Sequence, residues 1–400
     1  MPKIVRIRPV LLSAPYAEGD ADANMEVRLH LPSGLRTTGL VEITLDNGVV
    51  GLGEGYLAVF APHVFTAITN LIAPLLIGRD PQDVETLFRE MVTLTGYWSY
   101  QGAARHVVSA CEIALQDCRA QMLGVPLWQA LGGQKNQPLP AYASGGDSIT
   151  PAHMQRELEQ IAQLGIKTFK IRARKNLVDK VLWCQREGAR SNIAIAVDMT
   201  QNLVVPSQTM EDVLTFLQPI REGGGNPLAF VEEVLGPDQI EHLPELRRRT
   251  DIPVAGGEIV TTEDELRARV LAGYYGIVQP DATVIGGINS VRRVFAAAGE
   301  AGSRVYVHCW GGAVGMMANY HVALACGGEQ VEWPLPRYDL REALFAKPLQ
   351  PVNGQIQLAD APGLGVRLTN AVEKEFPFRE EAVYRCLVDP ALIPTVSWKI

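Results

Sequence analysis

The chain is 400 residues long and carries 36 basic and 44 acidic side chains, a net charge of −8 that argues against a broad nucleic-acid or anionic-membrane surface. Its 47% hydrophobic and 20% charged content is ordinary for a soluble globular protein, and the length exceeds what one compact core usually holds, so two domains sharing an interface are expected. No run of about 18 apolar residues offers a membrane span.

Taken in chain order, residues 1–135 read as a small α+β domain. The opening MPKIVRIRPVLLSAP is broken by Arg and Pro and reads as a first strand rather than a signal peptide, which makes a cytoplasmic protein the expectation. Ile4–Leu12 and Leu40–Leu45 alternate as strands do, and Asp46-Asn47-Gly48 turns the chain into Val49–Glu54. Tyr16–Thr37 is a long connection rich in Gly, Asp, Asn and Pro, the composition of a lid or binding loop. Helical periodicity follows in His63–Ile77, Val84–Thr93 and Ala103–Leu123. The six cysteines, Cys111, Cys118, Cys184, Cys309, Cys326 and Cys386, form no C-x-x-C pair and read as free thiols of a reducing compartment.

From about residue 136 to 340 the pattern becomes short apolar strand, loop, amphipathic helix, repeated. The predicted strands are Leu139–Ser144, Lys167–Arg172, Ile193–Asp198, Leu228–Glu232, Pro253–Glu258, Gly276–Asp281, Arg304–His308 and Gln330–Trp333, with intervening helices including Ala152–Leu164, Met210–Ile220, Glu263–Ala272 and Asn289–Ala301. Eight strands alternating with helices predict an α/β fold with a parallel barrel. No eighth barrel helix is evident. Residues 341–400 are expected to pack back on the first domain, and Arg379–Ile400 carries no readable signal.

The informative positions are the C-terminal strand ends, because the active sites of such barrels sit on that face. In order these are Lys170 with Arg172, Asp198, Glu232, Glu258, Asp281, His308 and Glu332, separated from Lys170 onward by 28, 34, 26, 23, 27 and 24 residues, each one strand-helix unit. Ionisable groups at the edge of an apolar core are costly unless paired or bound to a metal. Asp198, Glu232 and Glu258 are three oxygen donors on consecutive strands, suited to Mg²⁺. Asp281 and His308 end neighbouring strands, so the carboxylate can orient the imidazole and raise its basicity. His30, His63, His106, His153, His242 and His321 fall in helices or loops and form no such set.

These segments resemble the signature strands of the enolase superfamily: Phe169-Lys170-Ile171-Arg172, Val197-Asp198-Met199-Thr200-Gln201, Phe230-Val231-Glu232-Glu233, Gly256-Gly257-Glu258, Gln279-Pro280-Asp281 with Ile285-Gly286-Gly287, and Val307-His308-Cys309-Trp310-Gly311. The His–Asp pair is similar to the mandelate racemase subgroup, and the likeness runs over roughly residues 1–370. It implies a modified TIM barrel, (β/α)7β, under an N-terminal α+β capping domain completed by the C-terminal segment. It also implies Mg²⁺ on Asp198, Glu232 and Glu258, a base that removes the proton next to a small-molecule substrate's carboxylate, and a homo-oligomer, dimer or octamer. The sequence departs from the family pattern at two places. Arg172 stands where a second, basic lysine is usual, and arginine stays protonated, leaving it a donor beside Lys170, the metal-side helper. Thr200 stands where Asn is common and changes a substrate hydroxyl contact. A Gly-rich insertion at Glu222–Asn226 falls on the opposite barrel face.

A racemase needs a base on each face of the α-carbon, and Arg172 removes one. Dehydration of a sugar acid, aldonate or aldarate, to a 2-keto-3-deoxy acid needs only His308. Thr200, Glu332 and Arg36 are the expected substrate contacts, with Arg28 and His30 joining Arg36 in the lid loop. A racemase or epimerase with another second base, and a ligand-binding paralogue without turnover, are the alternatives.

Overall fold

A computed structural model describes residues 1–201, 206–223, 225–345 and 347–398. Strands β1 (Ile4–Pro15), β2 (Leu35–Leu45) and β3 (Val50–Glu54) form an antiparallel sheet, with Val10 opposite Leu40 and Thr44 opposite Val50. Its inward residues Val41, Ile43 and Leu45 pack on helices Pro62–Leu76, Val84–Ser99 and Ala103–Leu123 through Phe65, Leu87 and Ala114. Gly53 makes the closest of these contacts possible, since a Cβ there would stand 1.7 Å from the Ala110 carbonyl oxygen.

The second sheet is a closed parallel barrel of β4 (Leu139–Gly145), β5 (Thr168–Arg172), β6 (Ala194–Asp198), β7 (Val231–Glu232), β8 (Val254–Gly256), β9 (Ile277–Val278), β10 (Arg304–Val307) and β11 (Gln330–Pro334). Each pairs with the next, and β11 returns to β4 with Val331 opposite Ala141. Strand β12 (Gln355–Ile356) adds antiparallel to the start of β4. Among the described residues, seven α-helices connect the eight barrel strands, Pro151–Leu164, Val178–Arg190, Met210–Glu222, Leu243–Arg249, Glu263–Leu271, Ile288–Ala301 and Ala313–Cys326, which is the (β/α)7β arrangement. Tyr142, Phe230 and Tyr306 fill the barrel interior, with ring centroids 5.6–6.1 Å apart. Among the described residues no helix is long and apolar enough to cross a membrane.

Helix Ala313–Cys326, which the sequence reading did not name, is buried on nearly every side, from Ala313 to Leu324, and so lacks a readable stripe. Two features differ from the sequence expectation. The predicted strands through Glu258, Asp281 and His308 stop early, so these residues stand in loops just past β8, β9 and β10. The Tyr16–Thr37 connection is not an open loop. It contains helix Met25–His30, capped by Asn24 on the Val27 amide, and the Met25 amide donates to Asp147 O beyond β4. Within the Glu222–Asn226 insertion, Gly224 lies outside the described residues.

The segment after β11 runs back along the first sheet. The Ser13 amide donates to Phe376 O, and Arg8 holds both Glu42 and Glu373. The chain then crosses toward the barrel mouth, where Trp398 packs on Trp183 with centroids 5.5 Å apart.

Candidate active site

The C-terminal ends of the barrel strands open into a cavity of about 520 Å³. Of the residues singled out in the sequence, Lys170, Arg172, Asp198, Thr200, Glu258, His308 and Glu332 line it, while Glu232 and Asp281 are buried immediately behind them.

His308 follows β10 directly, and its Nδ1 lies 2.9 Å from Asp281 Oδ2. Asp281 is itself fixed: Oδ1 accepts from the Thr283 amide and hydroxyl at 2.8 Å and from Asn319 Nδ2 at 2.9 Å. Burial works against the Asp281 charge, yet these donors and His308 hold its carboxyl below the usual range. The imidazole is thereby oriented with Nε2 3.2 Å from Glu258 Oε2. Burial disfavours its charged form, but Glu258, Glu332 and Asp281 outweigh burial and raise His308 to about 10.

Asp198 and Glu232 end adjacent strands β6 and β7. Glu258 is placed by a sharp turn at Gly257, whose φ of +110° suits glycine and whose amide donates to Glu233 Oε1 at 2.7 Å. Lys170 Nζ is clamped between Glu232 Oε1 at 2.5 Å and Glu332 Oε1 at 2.8 Å, and Gln279 Nε2 donates to the other Glu232 oxygen. Burial pushes Asp198 up to about 6, with repulsion from Glu258 adding to it. Burial, with repulsion from Asp198, Glu258 and Glu332, also pushes Glu232 well up despite Lys170. Among the described residues no three His, Cys, Asp or Glu side chains are already drawn into a closed metal-ligand cluster. The donor set nevertheless fits a hard divalent cation. It consists of carboxylate oxygens, fully buried in Asp198 and Glu232 and partly so in Glu258, with Asp281 and Glu332 close by and Lys170, Arg172 and His308 as the neighbouring cations.

Arg172 does not face the carboxylates as a free donor. Its Nη1 pairs with Asp147 at 2.8 Å, its guanidinium lies 4.8 Å from the Trp310 ring centroid, and Nε is 3.8 Å from Asp198. Thr200 lines the cavity at a left-handed φ of 45°, with its hydroxyl taken by Arg174 and its amide donating to Asp198 Oδ1. The expectation for Arg36 needs correcting. It lies on β2, 3% exposed, caged by the rings of Tyr16, Tyr56 and Tyr338, and it is not among the residues lining the cavity. Its nearest link to the site is a 3.3 Å bond to the Tyr56 hydroxyl. Of its lid companions, His30 lines the cavity and Arg28 bonds outward to Leu392 O.

Several contributors were missed in the sequence. Glu54, at the end of β3, accepts from the Gly312 and Gly315 amides at 2.6 and 2.8 Å, capping the helix that follows His308. Glu112 does the same for the helix following Asp281, accepting from the Ile288 and Asn289 amides at 2.7 and 3.2 Å. Both are buried acids in the first 135 residues, and a buried acid in an apolar helix such as Glu112 was the available signal. Tyr384, Ile393, Val396 and Trp398 also line the cavity, from a stretch with no sequence signal.

Residues 153–372 match the family described as enolase C-terminal domain-like, and residues 33–132 match the N-terminal domain of mandelate racemase and muconate lactonizing enzyme. The chain belongs to the enolase superfamily. Arabinonate dehydratase of Saccharolobus solfataricus is 26% identical over 341 residues, spanning 84% of this chain and 89% of that protein. D-galactarolactone cycloisomerase of Agrobacterium fabrum is 26% identical over 355 residues, spanning 84% and 90%. The crystal structure of L-talarate/galactarate dehydratase from Salmonella typhimurium LT2, liganded with Mg and L-lyxarohydroxamate, shares the fold with a TM-score of 0.80 at 23% identity, covering 94% of this chain and 93% of that one.

Proposed function

We propose that this superfamily member dehydrates a sugar acid to a 2-keto-3-deoxy acid with Mg²⁺ as cofactor. The observation that carries the reading is the His308 imidazole, oriented by Asp281 and set against the carboxylates at the ends of β6, β7 and β8. Mg²⁺ held by Asp198, Glu232 and Glu258 would supply the positive charge that makes a carboxylate α-proton removable. With Glu258 engaged by that cation, the carboxylate that most strongly holds a proton on His308 would be neutralised, and His308 Nε2 then takes the α-proton while the C–H electron pair moves into the substrate's carboxylate. As the electrons return, the β-carbon–oxygen bond breaks, His308 returns its proton to the departing hydroxyl as water, and the resulting enol becomes the 2-keto acid. Asp281 fixes the tautomer throughout, and Lys170 balances charge between Glu232 and Glu332.

The relatives named as sugar-acid dehydratases support this reading. Arg172 supports it further. Paired with Asp147 and held protonated, it offers no proton acceptor for a second face. The test is a screen of aldonic and aldaric acids with Mg²⁺, detecting 2-keto products. Wild type should convert at least one acid and His308→Asn none. Conversion by His308→Asn at the wild-type rate would refute the role given to His308.

A further inference from the structure

Arg172 and Asp198 are register partners on β5 and β6, so a guanidinium stands beside a carboxylate that a cation would need. Arg172 Nε is 3.8 Å from Asp198 Oδ2, just outside hydrogen-bond reach, while Asp198 Oδ1 accepts from the Thr200 amide at 2.7 Å. A guanidinium on Oδ2 would compete with a cation for the same oxygen, and arginine cannot shed its charge to make way. Arg172 is engaged instead by Asp147, which is 7% exposed and whose Oδ2 accepts from Nη1 at 2.8 Å. Gly146 puts Asp147 there. Its φ of +72° turns the chain directly after β4, and it lies so close to β5 that a Cβ would stand 2.6 Å from the Ile171 Cα. Lys180 Nζ ties the two strand ends together by donating to the Gly146 and Arg172 carbonyls at 2.6 and 3.0 Å. Glu26 is farther, 3.9 Å from Arg172, and its Oε2 already accepts from the Tyr16 hydroxyl at 2.8 Å.

We infer that Asp147 is a positioning residue for the metal centre: by anchoring Arg172 it keeps Asp198 Oδ2 open to the cation. The inference rests on the reading above in taking Asp198 as a ligand of Mg²⁺. Mg²⁺ calorimetry on the full chain, without substrate or turnover, compares wild type, Asp147→Asn, Arg172→Met and the double variant. Asp147→Asn keeps the shape and removes the charge, so Arg172 should settle on Asp198. Mg²⁺ affinity should then fall by about tenfold or more, the usual cost of losing an outer partner of a metal ligand. In the Arg172→Met background the same change should cost less than about twofold, the scatter left between uncoupled sites. A carboxylate acting only through its own charge, or a loosened fold, would weaken binding equally in both backgrounds. Unchanged affinity in Asp147→Asn, or an equal loss with and without Arg172, would therefore overturn the positioning role. Arg172→Met alone should bind Mg²⁺ at least as tightly as wild type, because a competing cation is gone. Weaker binding there would also overturn the inference, and that arm needs no Asp147 variant to fold. Failure of the wild type to bind Mg²⁺ would overturn the metal reading and this inference with it, whereas binding indifferent to Asp147 would overturn the inference alone.

Discussion

The two sides of the cavity are built by different rules. The charged side comes from successive barrel strands, and each strand-helix unit delivers its last residues to the same mouth. The rest of the lining includes His30, Tyr56 and Phe60 together with Tyr384, Val396 and Trp398, which are remote from each other in sequence and meet only in the folded chain. One side is thus periodic and tolerant of small errors in strand length, as the shortened β8, β9 and β10 show. The other depends on single contacts between segments. Chemistry should be lost through the first side.

The sharpest break is expected at His308. His308→Asn should lower turnover by about a thousandfold, the usual contribution of a positioned base, while Mg²⁺ binding read by calorimetry persists. Loss of both together would mean that His308 supports the metal side as well as acting as the base. Next in size, Asp198→Ala, Glu232→Ala or Glu258→Ala should weaken Mg²⁺ binding by more than about tenfold, since removing even an outer partner of a metal ligand costs that much. Unchanged Mg²⁺ affinity in all three variants would remove the metal assignment.

Two smaller effects lie where the regions join. Glu54 reaches from β3 to the helix after His308, so Glu54→Gln leaves one of two buried amides without an acceptor and should cost about 1–3 kcal/mol in urea unfolding. The variant should also lose kcat with little change in KM, because the displaced helix directly follows the loop that carries His308. An unaltered kcat would reduce Glu54 to a structural cap. Burial pushes Glu112 up to about 7 although Gln116 and two backbone amides favour its charge. Between the ordinary glutamate value of about 4.3 and about 7 the folded protein therefore binds the extra proton, so this residue's contribution to stability falls as pH rises through that window. The stability of wild type relative to Glu112→Gln should decline by on the order of 2 kcal/mol from pH 4.5 to 7.5, and a flat difference would place the Glu112 titration outside that range.

The barrel and its strand-end residues were legible because residue type, spacing and strand order agree at seven successive positions. The loops could not be read to the same depth. Arg36 is a charged residue in a Gly- and Asp-rich stretch, and nothing local announces the three tyrosines that enclose it, one of them about 300 positions away. Ala313–Cys326 is buried on nearly every side and so lacks the polar face that marks a helix. Tyr384 and Trp398 gain their meaning only from His30, Phe60 and Trp183, contacts that no local pattern encodes.

The central claim is that one base, His308, serves the site because Arg172 cannot be a second. Running the wild type in D₂O with an acid it turns over tests this directly. The account predicts a 2-keto-3-deoxy product labelled at the carbon that lost its hydroxyl, with recovered substrate of unchanged configuration. Recovered substrate of inverted configuration carrying deuterium at the α-carbon as the main species would contradict it, because inversion requires a proton donor on the face opposite His308.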